Sequence, residues 1–231
     1  MEHNNLKRTA RIAGILYLIL FPLGFFGILY VPSTLVVSGD IAATANNIMA
    51  NEMLFRLGIT SALLTQLVQI LLVLFLYKLL KSVNKQHAKL MVIFVLVGVP
   101  IAMLNELNNF APLVLLSGGE FLEVYTTGQL HALLSLFLEL HEYGIIIAQI
   151  FWGLWLFPLG YLVYRSGFIP KVLGILLIIG SIGYVVDYFT LIMFPNFGVT
   201  ISEYTFLGEL LFPLWLVIKA VKTPVERVEN E

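Results

Sequence analysis

Six apolar stretches, separated by polar connections, set the pattern of this chain. They cover about residues 12–31, 57–77, 90–116, 143–164, 172–193 and 203–218. The clearest runs from Tyr143 to Tyr164, twenty-two residues without a charge. At about 1.5 Å of rise per residue it reaches ~33 Å as a helix, the thickness of a bilayer's hydrocarbon core. Glu139, His141 and Glu142 stand at its head, and Arg165 and Lys171 close it. The third run is interrupted by Asn105, Glu106, Asn108 and Asn109, and the sixth contains Glu209. The pattern predicts an all-α polytopic transmembrane helix bundle of six spans, a single integral membrane domain over residues 1–231. Two shorter helices are expected between spans. One lies from Asp40 to Asn51. The other, LHALLSLFLEL (130–140), is too short to span and is either an interfacial helix or an extension of the fourth span that bends near Gly144.

Charge gives the pattern a direction. Lys7, Arg8 and Arg11 precede the first run, and Lys78, Lys81, Lys85 and Lys89 separate the second from the third. Arg165 and Lys171 separate the fourth from the fifth, and Lys219, Lys222 and Arg227 follow the sixth. Twelve of thirteen Lys and Arg therefore fall on one side, with only Arg56 on the other. By the positive-inside bias, both termini are expected in the cytoplasm. The opposite, outer side is acidic. Basic residues before an apolar run also open a signal peptide. However, 12–31 is twenty residues long and no small-x-small cleavage site follows it, so it reads as a retained span.

Composition agrees: 59% of residues are hydrophobic and 12% charged, against roughly 25% charged in soluble domains. A net charge of −1 gives no basic surface for nucleic acid, so the expected partner is the lipid bilayer. The absence of Cys excludes disulfides, thiolate metal sites and Cys nucleophiles. No glycine-rich phosphate loop is present, and no cofactor is implied. His141-Glu142 begins the zinc-protease motif HExxH, but Ile145 stands where its second His belongs, so no metal is assigned.

The stretch FWGLWLFPLGYLVYRSGFIPKVLGILLIIGSIGYVVD (151–187), with RIAGILYLI (11–19), resembles the bacterial membrane family known as domain of unknown function 4386. The resemblance implies a multi-helix protein of the bacterial plasma membrane. It brings no activity, cofactor or catalytic residue.

The polar residues inside the runs are the functional candidates, ranked by depth. Glu209 lies ten residues before Lys219, ~15 Å into the core. Gln69 and Gln66 lie nine and twelve residues before Lys78, ~14 and ~18 Å in. Asp187, Glu106 and Gln149 each lie sixteen residues from their basic-side boundary, ~24 Å in. Glu142 and Arg56 fall near the outer interface. Small residues share their faces: Gly58, Ala62 and Thr65 with Gln69, Gly153 and Gly160 with Gln149, and Gly180 and Gly183 with Asp187. Small residues let membrane helices approach, and polar ones turn away from lipid. A polar interior in the outer half of the bundle is expected, and the same surfaces can serve a homo-oligomer.

Glu209 carries the sharpest signal. Pro213, four residues on, cannot donate to the Glu209 carbonyl, so a free carbonyl and a carboxyl meet at one point. Interrupted helices of this kind bind Na⁺ or H⁺ in transporters. The alternative is that Glu209 bonds Gln66 or Gln69 and only pins helices. Three core carboxylates, Glu106, Asp187 and Glu209, face one outer base, Arg56, which pairs either with Glu52 at i−4 or with Asp187 or Glu106 across the bundle. The remainder must be protonated, hydrated or cation-bound. Three functions follow as expectations: a small proton- or cation-linked carrier; a non-catalytic partner or stress module; or an intramembrane enzyme acting on lipid through His141, Glu142 and Asp187.

Overall fold

The structure, a computed structural model, describes residues 2–194 and 199–220. Lys222 and Arg227, used above for orientation, lie outside the described residues. Among these residues every regular element is helical. In chain order the α-helices are α1 (Glu2–Gly24), α2 (Val31–Leu35), α3 (Ile41–Ala50), α4 (Glu52–Leu80), α5 (Lys85–Asn105), α6 (Leu107–Leu115), α7 (Thr127–Leu154), α8 (Leu156–Arg165), α9 (Lys171–Met193), α10 (Ser202–Thr205) and α11 (Leu207–Ile218). A π-helical stretch, Phe25–Tyr30, joins α1 to α2 and starts three residues after Pro22.

Five stretches are long and apolar enough to cross a membrane: Asn4–Leu35, Glu52–Leu80, Lys85–Leu115, Thr127–Arg165 and Lys171–Met193. They coincide with the first five expected runs. The sixth, 203–218, forms α10 and the twelve-residue α11 instead. Twelve residues give ~18 Å, short of the ~30 Å core.

The outward faces of these helices are apolar. On α4, Leu57, Leu64, Leu67, Leu71 and Leu74 are each 43–49% exposed. On α9, Val172, Ile175, Ile179, Ile182, Val186, Phe189 and Met193 form the same 3–4 stripe. The inward face of α9 carries Gly174, Gly180, Ser181, Gly183 and Asp187. Small and polar residues inside with branched apolar ones outside is how a helix packs when its solvent is lipid.

Proline explains where the long helices break. Pro112 and Pro158 cannot donate to the carbonyls of Asn108 and Leu154. The breaks fall within two residues of those carbonyls, at Glu106 between α5 and α6 and at Trp155 between α7 and α8. The expected bend at Gly144 is absent, because α7 runs unbroken through it and takes in 130–140 as its own extension. The helix expected after Asp40 is α3, and the Asp40 carboxylate caps it by accepting from Ala43 N at 2.8 Å.

The chain divides into two compact units. One holds Met1–Leu18, Gln69–Val97 and the chain from Gln149 on; the other holds Ile19–Val68 and Gly98–Ala148. Helices α1, α4, α5 and α7 each contribute to both. In the first unit Leu72, Leu76, Leu159, Leu162, Leu177, Phe212 and Leu216 form the core. In the second, Val31, Leu35, Ala45, Ile48, Phe55, Ile59 and Leu134 seat α3 against its neighbours.

Candidate functional site

In the first unit, the site is built around Glu209. Three close helix approaches assemble it. Gly14 lets α1 lie on α11: a Cβ there would sit 2.9 Å from the Pro213 carbonyl oxygen and 2.8 Å from Val217. Gly208 does the same for α11 on α9, where a Cβ would meet Leu176 and Leu177 backbone at 2.6–2.7 Å. Gly153 admits Tyr184 of α9 against α7. One turn beyond Gly14, Tyr17 then points its hydroxyl at Glu209 and donates to Oε2 at 3.0 Å. Trp155 and Phe212 hold the Tyr17 ring, with centroids 5.7 and 6.2 Å away.

Tyr184 is the second phenol facing the Glu209 carboxylate, and it is also within electrostatic reach of Asp187. Glu209 Oε1 is shielded from solvent. Because Pro213 lacks an N–H, the Glu209 carbonyl is free of its usual helical partner. The carboxyl and the proline-freed carbonyl of one residue thus meet at one place.

Asp187 has a different task. It is 3% exposed, and its two oxygens accept the backbone N–H groups of Ile201 and Ser202 at 2.6 and 2.7 Å. It ties the start of α10 back to α9. Gln69 is buried and Gln149 half-buried in the same unit. Neither is the hydrogen-bond partner of Glu209 that the structure gives; that partner is Tyr17.

In the second unit, Glu106 sits at the break between α5 and α6 and is 4% exposed. Its Oε1 is 3.2 Å from His141 Nε2, and its Oε2 accepts from Asn109 Nδ2 at 3.0 Å. Asn105 donates to the His141 carbonyl at 2.9 Å and accepts from Asn108 at 3.0 Å. Gly144, one turn past His141, leaves room for that carboxamide; a Cβ there would overlap it. Arg56 takes no part in this network, since it bonds Glu52 at 2.7 Å on an exposed face. Gln66 is buried, and its Oε1 has no partner among the described residues. Gly58 and Ala62, on the stripe read from the sequence, receive Gly27, whose Cβ would lie 2.7 Å from the Gly58 carbonyl oxygen.

A cleft opens beside this network. Its larger part, about 570 Å³, lies between residues 32–44 and α7 and is bordered by Asp40, Glu139 and Glu142. A narrower part, about 50 Å³, shares Pro32, Val36, Leu138 and Glu142 with it and reaches His141 and Asn109. No group of three His, Asp or Glu side chains is placed to hold a metal among the described residues.

Several of these roles were not legible in the sequence. Tyr17 and Tyr184 read as ordinary core aromatics. Depth would have flagged them: Tyr17 is six residues past Arg11 and Tyr184 thirteen past Lys171, ~9 and ~20 Å in. These bracket Glu209 within the reach of a phenol. His141 as partner of Glu106 was missed because only Lys and Arg were weighed as bases.

A family model described as a domain of unknown function, DUF4386, matches residues 12–220. An uncharacterized protein of Archaeoglobus fulgidus is 51% identical over 81 residues, which is 35% of this chain and 49% of that protein. The chain thus spans about half the length of this curated relative. No solved structure matches.

Proposed function

The chain belongs to the DUF4386 family, and from the geometry we propose that it is a multi-pass carrier of the cell membrane, linked to a proton or small cation at Glu209. One observation carries this reading. Glu209 Oε1 is shielded from solvent, Oε2 takes the Tyr17 hydroxyl at 3.0 Å, and a second phenol, Tyr184, faces the same carboxyl. Ionisable groups placed inside a membrane bundle mark ion and proton pathways by default. A phenol is both donor and acceptor, so Tyr17 and Tyr184 suit either form of the carboxyl: they donate to the carboxylate and accept from the acid. The proline-freed carbonyl beside it is the local device that interrupted helices of transporters use for ions.

The proposed topology follows the charge pattern. Six crossings, with α10 and α11 together forming the last, place the Lys/Arg-rich connections and both termini in the cytoplasm. The final crossing covers sixteen residues, ~24 Å, which a locally thinned bilayer accommodates. Lipid is the surrounding partner, and a homo-oligomer would form through the exposed apolar faces of the helices.

A second reading is supported by Asp187 and Glu106, both of which are internally hydrogen-bonded. A non-catalytic membrane module would use all three carboxyls in this way. The two readings separate in proteoliposomes loaded with a pH-sensitive dye and exposed in turn to a panel of small organic and inorganic ions. A carrier shows a solute-dependent pH change that Glu209→Gln abolishes. A Glu209→Gln protein that keeps the change refutes the role of Glu209.

A further inference from the structure

We propose that the cleft between residues 32–44 and α7 is a binding site for a small organic cation with an apolar body. This does not rest on the role of Glu209, and it is tested by binding rather than flux.

The cleft is preformed. At its back, α3 is seated by Leu35, Ala45, Ile48 and Leu134, all nearly or fully buried. The chain leading into α3 is tied down by its own bonds. Thr44 Oγ1 accepts from Val37 N at 2.9 Å and donates to the Asp40 carbonyl at 3.0 Å, and Asn47 Nδ2 donates to the Leu35 carbonyl at 3.2 Å. The volume, about 570 Å³, lies within the ~300–1,000 Å³ typical of small-molecule sites.

Its chemistry is of two kinds. Val36, Val37, Ile41 and Leu138 supply an apolar wall, and Asp40, Glu139 and Glu142 stand at the rim. No Lys or Arg lines either part of the cleft. The surrounding unit carries seven carboxylates, at 40, 52, 106, 120, 123, 139 and 142, against one arginine. That arginine is held by Glu52, so the imbalance is not neutralised locally. A negative field over a concave apolar wall selects positive charge on an apolar body, since field lines focus in clefts. Bare metal ions fit less well: no three His, Asp or Glu among the described residues converge, and the apolar wall would have no use.

The test uses the full chain in nanodiscs of neutral lipid, with tetraphenylphosphonium as probe and tetraphenylborate as its anionic isostere. Equilibrium dialysis should show saturable binding of the cation alone. Glu139→Gln/Glu142→Gln, at exposed positions, should weaken it about tenfold, the scale of two exposed charge interactions. Val37→Trp, also exposed, fills the wall without changing any charge and should weaken it too. Circular dichroism verifies that both variants keep their helices. Equal uptake of cation and anion, or equal cation affinity in the wild type and both variants, overturns the proposal. A Glu209→Gln protein should bind the probe normally, so loss of proton linkage and loss of the cleft can be told apart.

Discussion

Replacing Gly174 by Ala tests whether the contact between α8 and α9 is as close as the structure has it. A Cβ at Gly174 would lie 2.6 Å from the Gly160 carbonyl oxygen and 2.6 Å from Tyr164 N. Such contacts become ordinary at 3.4 Å, so α8 must withdraw by about 0.8 Å. Both obstacles are backbone, and no side-chain rotation relieves them. A gap of that size forfeits roughly a quarter to a half of each dispersion contact, worth about 0.1–0.2 kcal/mol apiece. Summed over the helix face, the loss should reach the ~1–3 kcal/mol usual for overpacking. Gly160→Ala meets Gly174 O at 2.7 Å from the other side, so the double variant should cost less than the sum, the helices having already parted. Gly24→Ala is the control: its backbone is helical, at φ −65° and ψ −45°, and a Cβ there meets nothing within 4 Å. Helix propensity predicts a gain of up to ~1 kcal/mol. The assay is reversible SDS unfolding in mixed micelles, followed by far-UV circular dichroism. A Gly174→Ala protein as stable as Gly24→Ala would refute the packing.

Other substitutions should sort by mechanism. Arg56→Ala removes an i,i+4 pair whose side chains are 50% and 54% exposed, and should change unfolding free energy by no more than about 0.5 kcal/mol in the same assay. Gly144→Ala drives Asn105 out of its seat. It should cost ~1–3 kcal/mol through the lost bonds to His141 and Asn108, read as reduced resistance to SDS. Tyr17→Phe takes away one donor to Glu209. It should lower stability by about 0.5–1.5 kcal/mol, and it should alter the pH profile of any solute-driven flux.

The helices and their outward faces were legible because period and length alone decide them. An apolar run of more than twenty residues has few alternatives, and five of the six runs are helices of membrane-crossing length. The sixth run is divided by a turn at Phe206 into α10 and α11, a break that composition does not show. The division into two units was not legible, since four helices pass through both without a linker. Partners across sequence were the least legible. Tyr17 and Glu209 are 192 residues apart, and the close approach at Gly14 brings their helices together. The glycines were read correctly as packing surfaces, but the sequence does not say which helix each one receives.

The three core carboxyls show why counting bases misleads inside a bundle. None needs a Lys or Arg: Asp187 uses two backbone N–H groups, Glu106 an imidazole and a carboxamide, and Glu209 a phenol. The partners differ in how they tolerate neutralisation, so three isosteric amides should give three different signatures. Asp187→Asn points an amide N–H₂ at a backbone donor and leaves one N–H unpaired, which should cost ~1–3 kcal/mol. Glu106→Gln keeps an acceptor, while the Asn109 amide can reverse and the His141 tautomer can switch, so the loss should stay near ~1 kcal/mol. Glu209→Gln keeps an acceptor for Tyr17 and should fold as well as the wild type, while its proton linkage disappears. SDS unfolding and dye-loaded proteoliposomes read the two effects separately. If Glu209→Gln instead unfolds as readily as Asp187→Asn and any flux survives, Glu209 is a structural pin like the other two.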